Sequence, residues 1–124
     1  MPKPLRVLLV EDSERDAALL KLYLRRGGYD AQVQRVDTRG DLEAQLRAGT
    51  WDLVVSDFNL PGFDAFATMQ AVKESGREIP VVVLSGDFSP AALEEIRAAG
   101  IRYAYKGDMS AIMAIIEDAT RGDA

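Results

Sequence analysis

The chain has 124 residues with a net charge of −5, and 48% of its residues are hydrophobic and 28% are charged. This composition predicts a single globular domain over residues 1–124, with a core over about 5–121, and the acidic balance argues against direct nucleic-acid binding. The sequence has no Cys and no His, which excludes disulfides, thiol nucleophiles, Ser-His-Asp triads and the commonest zinc ligands.

The groups left for chemistry are carboxylates, hydroxyls, Lys and Arg, and their natural partner is a hard cation bound by oxygen. No apolar run approaches the roughly 18 residues of a membrane span, and residues 1–4 lack the apolar stretch of a signal peptide. We therefore expect a cytoplasmic protein without membrane insertion.

Five strand–helix units follow one another along the chain. The predicted strands span residues 5–10, 31–36, 53–57, 79–84 and 102–105. The predicted helices start near Ser13, Thr38, Asp64, Ser89 and Met109. Each unit ends at a glycine, as is typical just beyond a helix, and these are Gly28, Gly49, Gly76, Gly100 and Gly122.

Apolar side chains at helical spacing predict which face of each helix is buried. These residues are Ala17, Leu20, Leu24, Leu42, Leu46, Phe66, Met69, Val72, Ile112, Ile115, Ile116 and Ala119. The second strand alternates apolar and polar residues, which is typical of a strand at the edge of a sheet, whereas the first, third and fourth are nearly all apolar.

Alternating strands and helices predict an α/β fold in which helices cover both faces of a parallel sheet. We expect a doubly wound (βα)5 flavodoxin-like sandwich with five parallel strands in the order 2-1-3-4-5. In that order the first and third strands are neighbours at the switch point, where open α/β proteins bind their ligands at the carboxyl ends of the strands.

Charged and polar residues stand at those carboxyl ends. Glu11 and Asp12 follow the first strand, Asp57 ends the third, Ser85 closes the fourth and Lys106 follows the fifth. Taken singly, each has an ordinary explanation, as a turn residue, a helix-start charge or a solvated lysine. Their coincidence on one rim of one sheet is what indicates a functional site.

Three carboxylates brought together repel one another unless a cation compensates them. We expect Mg²⁺ or Mn²⁺, with Asp12 and Asp57 as direct ligands, Glu11 acting through water and the backbone carbonyl of Asn59 adding another oxygen. Lys106 supplies a further positive charge. The hydroxyl of Ser85, on the neighbouring strand, is expected to face the Asp57 carboxylate.

These motifs resemble those of the receiver domains of two-component response regulators, including receivers found alone or attached to sensory and hybrid kinases. The resemblance covers residues 5–121. It is carried by Glu11-Asp12, Ser-Asp-Phe-Asn-Leu-Pro-Gly at 56–62, Ser85-Gly86 and Tyr103-Ala104-Tyr105-Lys106.

The resemblance implies a phosphoryl-accepting switch rather than a conventional enzyme, although such a domain catalyses its own phosphorylation and dephosphorylation. Asp57 would accept the phosphoryl group in a Mg²⁺-dependent reaction from the phosphohistidine of a sensor histidine kinase or a phosphotransfer protein. Lys106 would stabilise charge, while Ser85 and Tyr103 would act as the switch pair. The output face would be formed by the fourth helix, fifth strand and fifth helix, where a downstream protein or domain, or a second copy, would bind.

Two residues depart from the family pattern. Gly107 stands where most receivers have a Pro that follows a cis peptide bond, and a cis bond without Pro costs about 2.5–4 kcal/mol. We therefore predict a trans Lys106–Gly107 bond and a looser start to the fifth helix. Ala65 stands where Gly is usual, so we predict that its φ is not positive.

Three other readings remain open at this point. A flavodoxin-like cofactor binder would need a phosphate-binding loop after the first strand, where this chain has acidic residues. An Asp-dependent phosphohydrolase would carry a second Asp where Asn59 stands. A receiver-like docking module that is never phosphorylated is the hardest alternative to exclude.

Overall fold

The computed structural model describes residues 2–60 and 62–121, in which five main strands alternate with five helices. The strands are β1 (Lys3–Val10), β2 (Tyr29–Val36), β3 (Leu53–Asp57), β4 (Val81–Ser85) and β5 (Arg102–Tyr105). The helices are α1 (Glu14–Arg26), α2 (Arg39–Ala48), α3 (Ala65–Glu74), α4 (Pro90–Ala98) and α5 (Met109–Thr120). The predicted α/β fold is confirmed, and the predicted stop at Gly122 lies outside the described residues.

The five strands form one parallel sheet in the order β2-β1-β3-β4-β5, as predicted. Val10 lies opposite Ser56, and Asp57 lies opposite Leu84. This register brings the carboxyl ends of the central strands to one edge of the sheet. The edge position of β2 follows from its alternating pattern, since only one of its faces is packed against the core.

Three strand starts differ from the prediction. β1 and β2 begin at Lys3 and Tyr29, because their pairing continues two residues further towards the amino end than apolar character suggests. β4 begins at Val81 rather than Ile79. Pro80 has no N–H to donate to a ladder, although its carbonyl still accepts a hydrogen bond from the backbone of Val54 at 3.0 Å.

A polar side chain caps each of the five helices by accepting a hydrogen bond from a backbone N–H in the first turn. The capping residues are Ser13, Thr38, Asp64, Ser89 and Asp108. Asp108 caps α5 as the other capping residues cap their helices, and the looser start expected for α5 remains a prediction. Among the described residues no peptide bond is cis and no residue other than Gly has a positive φ, which confirms the trans Lys106–Gly107 bond and the prediction that the φ of Ala65 is not positive.

The core lies on both faces of the sheet. α1 and α5 pack on one face, and α2, α3 and α4 pack on the other. The predicted inward residues of α1 and α2 are buried, but Phe66, Met69 and Ile115 are only half-buried. In α3 the small residues Ala65 and Thr68 face the sheet instead, because small side chains allow the helix to approach it closely. None of the described helices is long and apolar enough to cross a bilayer.

Leu24 offers a test of the packing between α1 and the sheet. Its side chain is fully buried, so Leu24→Ala is expected to lower the free energy of unfolding by about 2–5 kcal/mol. Leu22, two residues earlier on the same helix, is only half-buried and provides the matched control Leu22→Ala. Urea denaturation of both variants measures the difference, and equal losses would show that Leu24 does not occupy the core position described.

Candidate functional site

The carboxyl edge of the sheet brings together the charged residues that the sequence placed at strand ends. Glu11 follows β1, and its backbone N–H donates to the carbonyl of Val36 at 3.0 Å. Lys106 follows β5, and its backbone N–H donates to the carbonyl of Ser85 at 2.9 Å. These backbone bonds continue the strand ladders for one residue, so the side chains beyond the strands start from a rigid frame.

The three predicted carboxylates form a compact acidic cluster. One oxygen each of Glu11, Asp12 and Asp57 lies within 4.8 Å of the others. Glu11 is buried, Asp57 is half-buried and Asp12 is exposed, so the cluster is open to water on one side. An all-oxygen donor set with a hydrated side suits Mg²⁺, which keeps several waters and typically binds one or two carboxylates. The residues present therefore fit a divalent cation.

Asn59, the fourth predicted ligand, lies in a short antiparallel ribbon that Asn59–Leu60 forms with Phe63–Asp64. The ribbon begins two residues after Asp57, and Asn59 itself is exposed. A carbonyl ligand from this position remains a prediction.

Lys106 is the cation at the centre of the site. Its Nζ lies 2.8 Å from Glu11 Oε1, 2.7 Å from Asp16 Oδ2 and 3.4 Å from Asp57 Oδ1. The contacts with Glu11 and Asp57 agree with the expectation that this ammonium compensates the acidic cluster. The contact with Asp16, the shortest of the three, was not predicted.

Asp16 was missed because its place in the first turn of α1 explains an acidic residue without any site, through the helix dipole. A signal was nevertheless present. α1 begins directly after Glu11 and Asp12, so its first turn must lie at the same edge of the sheet, and Asp16 precedes the inward-facing Ala17. In the folded chain Asp16 therefore lies close enough to Lys106 to form an ion pair with it.

Burial and charge perturb the ionisation of these groups in a consistent way. Burial is the main factor that raises the pKa of Glu11 and that of Asp57, and the positive charge of Lys106 opposes it in both cases. Burial alone would lower the pKa of Lys106, but hydrogen bonds to Asp16 and Glu11 and the nearby Asp57 outweigh it and raise that pKa. Lys106 is therefore charged at neutral pH, while the carboxylates still favour additional positive charge.

Two side chains to which the sequence analysis gave no role donate hydrogen bonds to the backbone carbonyls of cluster residues. Arg35 donates from Nη1 to the backbone carbonyl of Glu11 at 3.1 Å. Ser56, fully buried, donates from Oγ to the carbonyl of Asp57 at 2.9 Å, and its Oγ lies 3.0 Å from the hydroxyl of Thr68 on α3. Such buried polar pairs are costly unless both partners are satisfied, so they fix the end of β3.

Beneath the charged groups lies a cavity of about 20 Å³ with a mainly apolar floor. The floor includes Leu9, Val55, Leu84 and Ile112. This volume is about that needed for one water molecule. Because a cavity of this size has room for only about one water molecule, the ion pairs of Lys106 are screened less than they would be on an open surface.

Ser85 does not have the orientation expected for it. Its hydroxyl donates to the backbone carbonyl of Asp87 at 2.7 Å and accepts from the Asp87 N–H at 3.2 Å. Within the described residues Ser85 makes no hydrogen bond to the carboxylate of Asp57. Ser side chains commonly form such local bonds to nearby backbone, and here the bond satisfies the hydroxyl of a buried residue. The prediction that it faces Asp57 is therefore wrong for this state of the chain.

Tyr103 is half-buried and held at both ends. Its hydroxyl accepts hydrogen bonds from Arg97 of α4, with Nε at 3.3 Å and Nη2 at 3.2 Å. Its ring packs edge-to-face against the ring of Phe88, with 5.4 Å between the ring centroids. The ring of Phe88 also packs against those of Phe58 and Tyr105, with centroid distances of 5.6 Å and 5.1 Å. Since Phe58 directly follows Asp57, a continuous row of aromatic rings connects the acidic cluster with β5.

Comparison with known proteins identifies a family with the same features. The family model described as "Response regulator receiver domain" matches residues 7–116. The chain is 36% identical over 85 residues to the transcriptional regulatory protein RprY of Bacteroides fragilis, which covers 68% of this chain and 35% of RprY. It is 31% identical over 90 residues to the autoinducer 1 sensor kinase/phosphatase LuxN of Vibrio campbellii, covering 73% of this chain and 10% of LuxN. The chain thus spans about a third or less of the length of these curated relatives.

Solved structures share the fold. The bacteriophytochrome response regulator RtBRR superposes with a TM-score of 0.77 at 26% identity, covering 100% of this chain and 81% of that one. The receiver domain of sensor histidine kinase PA1611 from Pseudomonas aeruginosa PAO1, solved with a magnesium ion in its active-site cleft, gives a TM-score of 0.78 at 21% identity. That match covers 96% of this chain and 99% of that one, and it bears on the fold alone.

Proposed function

Since the chain belongs to the response regulator receiver domain family, the phosphoryl-accepting switches of two-component systems, we propose that Asp57 is its phosphoacceptor. The observation that carries this assignment is the position of Asp57 at the end of β3, where its Oδ1 is 3.4 Å from the Lys106 ammonium and it shares an acidic cluster with Glu11 and Asp12. No observation favours the alternative of a docking module that is never phosphorylated.

In the proposed reaction, a carboxylate oxygen of Asp57 forms a bond to phosphorus while the bond from phosphorus to the donor's leaving atom breaks. The leaving group, a histidine nitrogen of a kinase or the acetate of acetyl phosphate, departs with the bonding electron pair. Phosphoryl transfer depends mainly on positioning and charge neutralisation. Lys106 contributes an ammonium directed at charge that develops on the phosphoryl oxygens, and the apolar floor of the site limits competition by water.

Receiver domains bind Mg²⁺ at an acidic site, and here Asp12 and Asp57 would hold it directly, with Glu11 through water and the Asn59 carbonyl as a further ligand. When bound, the cation neutralises charge on the transferring group. Mn²⁺ prefers the same oxygen ligands and is expected to substitute.

Ser85 and Tyr103 are the proposed relay. Moving a two-state equilibrium from 1:99 to 99:1 requires roughly 5.5 kcal/mol, and a hydrogen bond to a charged group contributes about 1.5–3 kcal/mol, so two or three new bonds to the phosphoryl group suffice. Ser85 would exchange its bond to Asp87 for one to the phosphoryl group. Tyr103 would then leave Arg97 and turn inward, which changes the surface formed by α4, β5 and α5.

Receiver domains interact with sensor kinases or phosphotransfer proteins, and this chain is similar both to a sensor kinase and to transcriptional regulators. The downstream partner is proposed to bind the α4–β5–α5 face, where Tyr105 and Met109 are exposed, and a second copy of the chain is an alternative occupant. The net charge of −5 argues against direct nucleic-acid binding by this domain.

Incubation with acetyl phosphate and Mg²⁺ tests this proposal. Intact mass spectrometry should detect one added phosphoryl group on the chain, and parallel samples containing EDTA in place of Mg²⁺ should remain unmodified. Treatment of the adduct with hydroxylamine should remove it, because an acyl phosphate is a reactive mixed anhydride. If no small phosphodonor modifies the chain at any Mg²⁺ concentration, the docking-module alternative is the better description.

A further inference from the structure

The inference concerns Asp16, the carboxylate on α1 that contacts Lys106. Asp16 is not one of the residues of the acidic cluster, which in the described part of the chain consists of Glu11, Asp12 and Asp57. It nevertheless makes the shortest contact of the Lys106 ammonium, at 2.7 Å, whereas the contact with Asp57 is the longest at 3.4 Å. Lys106 is thus held closer to α1 than to the acceptor.

Three carboxylates surround the Lys106 ammonium, at Nζ–oxygen distances of 2.8 Å for Glu11, 2.7 Å for Asp16 and 3.4 Å for Asp57. An ammonium has three N–H donors and no acceptor, and this one donates a hydrogen bond to Asp16 Oδ2. A phosphoryl group on Asp57 therefore has to compete with Asp16 for the ammonium. Glu11 and Asp57 would also share their negative charge with a bound cation, but Asp16 stands outside the cluster and would keep its full attraction for the lysine.

The backbone of Asp16 is held by the cap of α1. Its N–H donates to the N-cap hydroxyl of Ser13 at 3.2 Å, and the N–H of Ser13 donates to Glu11 Oε2 at 3.2 Å, which ties the first turn of α1 to the residue that follows β1. The Lys106 and Asp16 side chains are 19% and 33% exposed, so their attraction is screened less than that of a surface pair. Asp16 therefore attracts the Lys106 ammonium towards α1.

We propose that Asp16 is a positioning residue that competes with the phosphoryl group of phosphorylated Asp57 for the Lys106 ammonium and so slows phosphorylation. This inference rests on the proposed function of Asp57. Removing the charge of Asp16 leaves Lys106 two carboxylate partners and allows it to move towards the acceptor. There it stabilises the charge that develops on the phosphoryl oxygens as the new bond from Asp57 to phosphorus forms.

The test compares Asp16→Asn with the wild type in acetyl phosphate and saturating Mg²⁺. We expect the rate constant for phosphorylation to rise about tenfold, which corresponds to about 1.4 kcal/mol of transition-state stabilisation. Asp16→Glu keeps the charge and should return the rate to within about twofold of the wild type. Glu14→Gln is the matched control, because it removes the same charge from the same helical turn at an exposed site that does not touch Lys106.

A spectroscopic readout separates a role in positioning from a general effect on folding. The ¹⁵N-detected ammonium signal of Lys106, recorded without phosphodonor, should show faster proton exchange in Asp16→Asn than in the wild type and in Glu14→Gln. Unchanged exchange would show that Asp16 does not hold the lysine. An unchanged or lower phosphorylation rate in Asp16→Asn, with the wild type phosphorylated normally, would overturn the proposed competition alone. A wild type that accepts no phosphoryl group would overturn the proposed function and, with it, this inference.

Discussion

Replacing Asp57 with Asn should abolish the addition of a phosphoryl group from acetyl phosphate. The amide of Asn lacks the anionic oxygen that attacks phosphorus, and the remaining cluster carboxylates, Glu11 and Asp12, lie at the end of β1 rather than at the end of β3. The fold should be preserved, because Asn is nearly isosteric with Asp and the burial of Asp57 already disfavours its charge. Intact mass spectrometry of the variant in Mg²⁺ and acetyl phosphate measures the effect directly.

Asp12→Asn is the informative control for that experiment. It removes one charge from the same acidic cluster but leaves the proposed acceptor in place. We expect weaker Mg²⁺ binding, with phosphorylation recovered when the Mg²⁺ concentration is raised, whereas no Mg²⁺ concentration should restore Asp57→Asn. If Asp57→Asn still gained one phosphoryl group per chain, the acceptor would be another residue and the role assigned to Asp57 would be wrong.

Lys106→Met is expected to lower both reactivity and stability. Without the ammonium, charge on the phosphoryl group loses a preorganised partner, and the phosphorylation rate constant should fall by about 100-fold or more. Glu11, with a side chain that is 5% exposed, would lose its charged partner. We expect the free energy of unfolding in EDTA to fall by about 3 kcal/mol, the lower end of the range for breaking a buried ion pair, since Asp16 remains partly hydrated.

Urea denaturation in EDTA and in Mg²⁺ measures the loss of stability and shows how much of it a divalent cation restores. Because a divalent cation supplies the charge that the lysine provided, Mg²⁺ should stabilise Lys106→Met more than it stabilises the wild type. Lys21→Met, at an exposed position on α1, is the matched control. It should change neither the phosphorylation rate constant nor the free energy of unfolding appreciably. A Lys106→Met variant as stable in EDTA as this control would show that the three carboxylates near Lys106 do not depend on its charge.

Two departures from the sequence-based predictions concern the orientation of side chains. The hydroxyl of Ser85 was expected at Asp57 because neighbouring strand ends are close, but the backbone of Asp87 offers the nearer partner. In α3 periodicity assigned Phe66 and Met69 to the core, whereas small residues face the sheet and the two larger side chains lie at its margin. Periodicity identifies an apolar face but does not rank its members by depth.

The fold and most of the charged residues at the edge of the sheet could be predicted from the sequence alone. Hydrophobic runs, glycine stops and N-caps specify alternating strands and helices, and a parallel sheet necessarily collects its strand ends at one edge. Glu11, Asp12, Asp57 and Lys106 could therefore be brought together without coordinates. The position of each of these charged residues at the end of a predicted strand was enough to place them at the same edge.

The way in which the charges at that edge pair with one another could not be predicted from the sequence. Whether Lys106 lies nearest Asp57, Glu11 or Asp16 depends on differences of less than 1 Å, which the packing of α1 against the sheet sets and no local pattern encodes. The same holds for Tyr103, whose hydroxyl is held by Arg97 of α4. Electrostatic and hydrogen-bond energies change steeply over such distances, and for that reason the partner of a charged group emerges only with the packed fold.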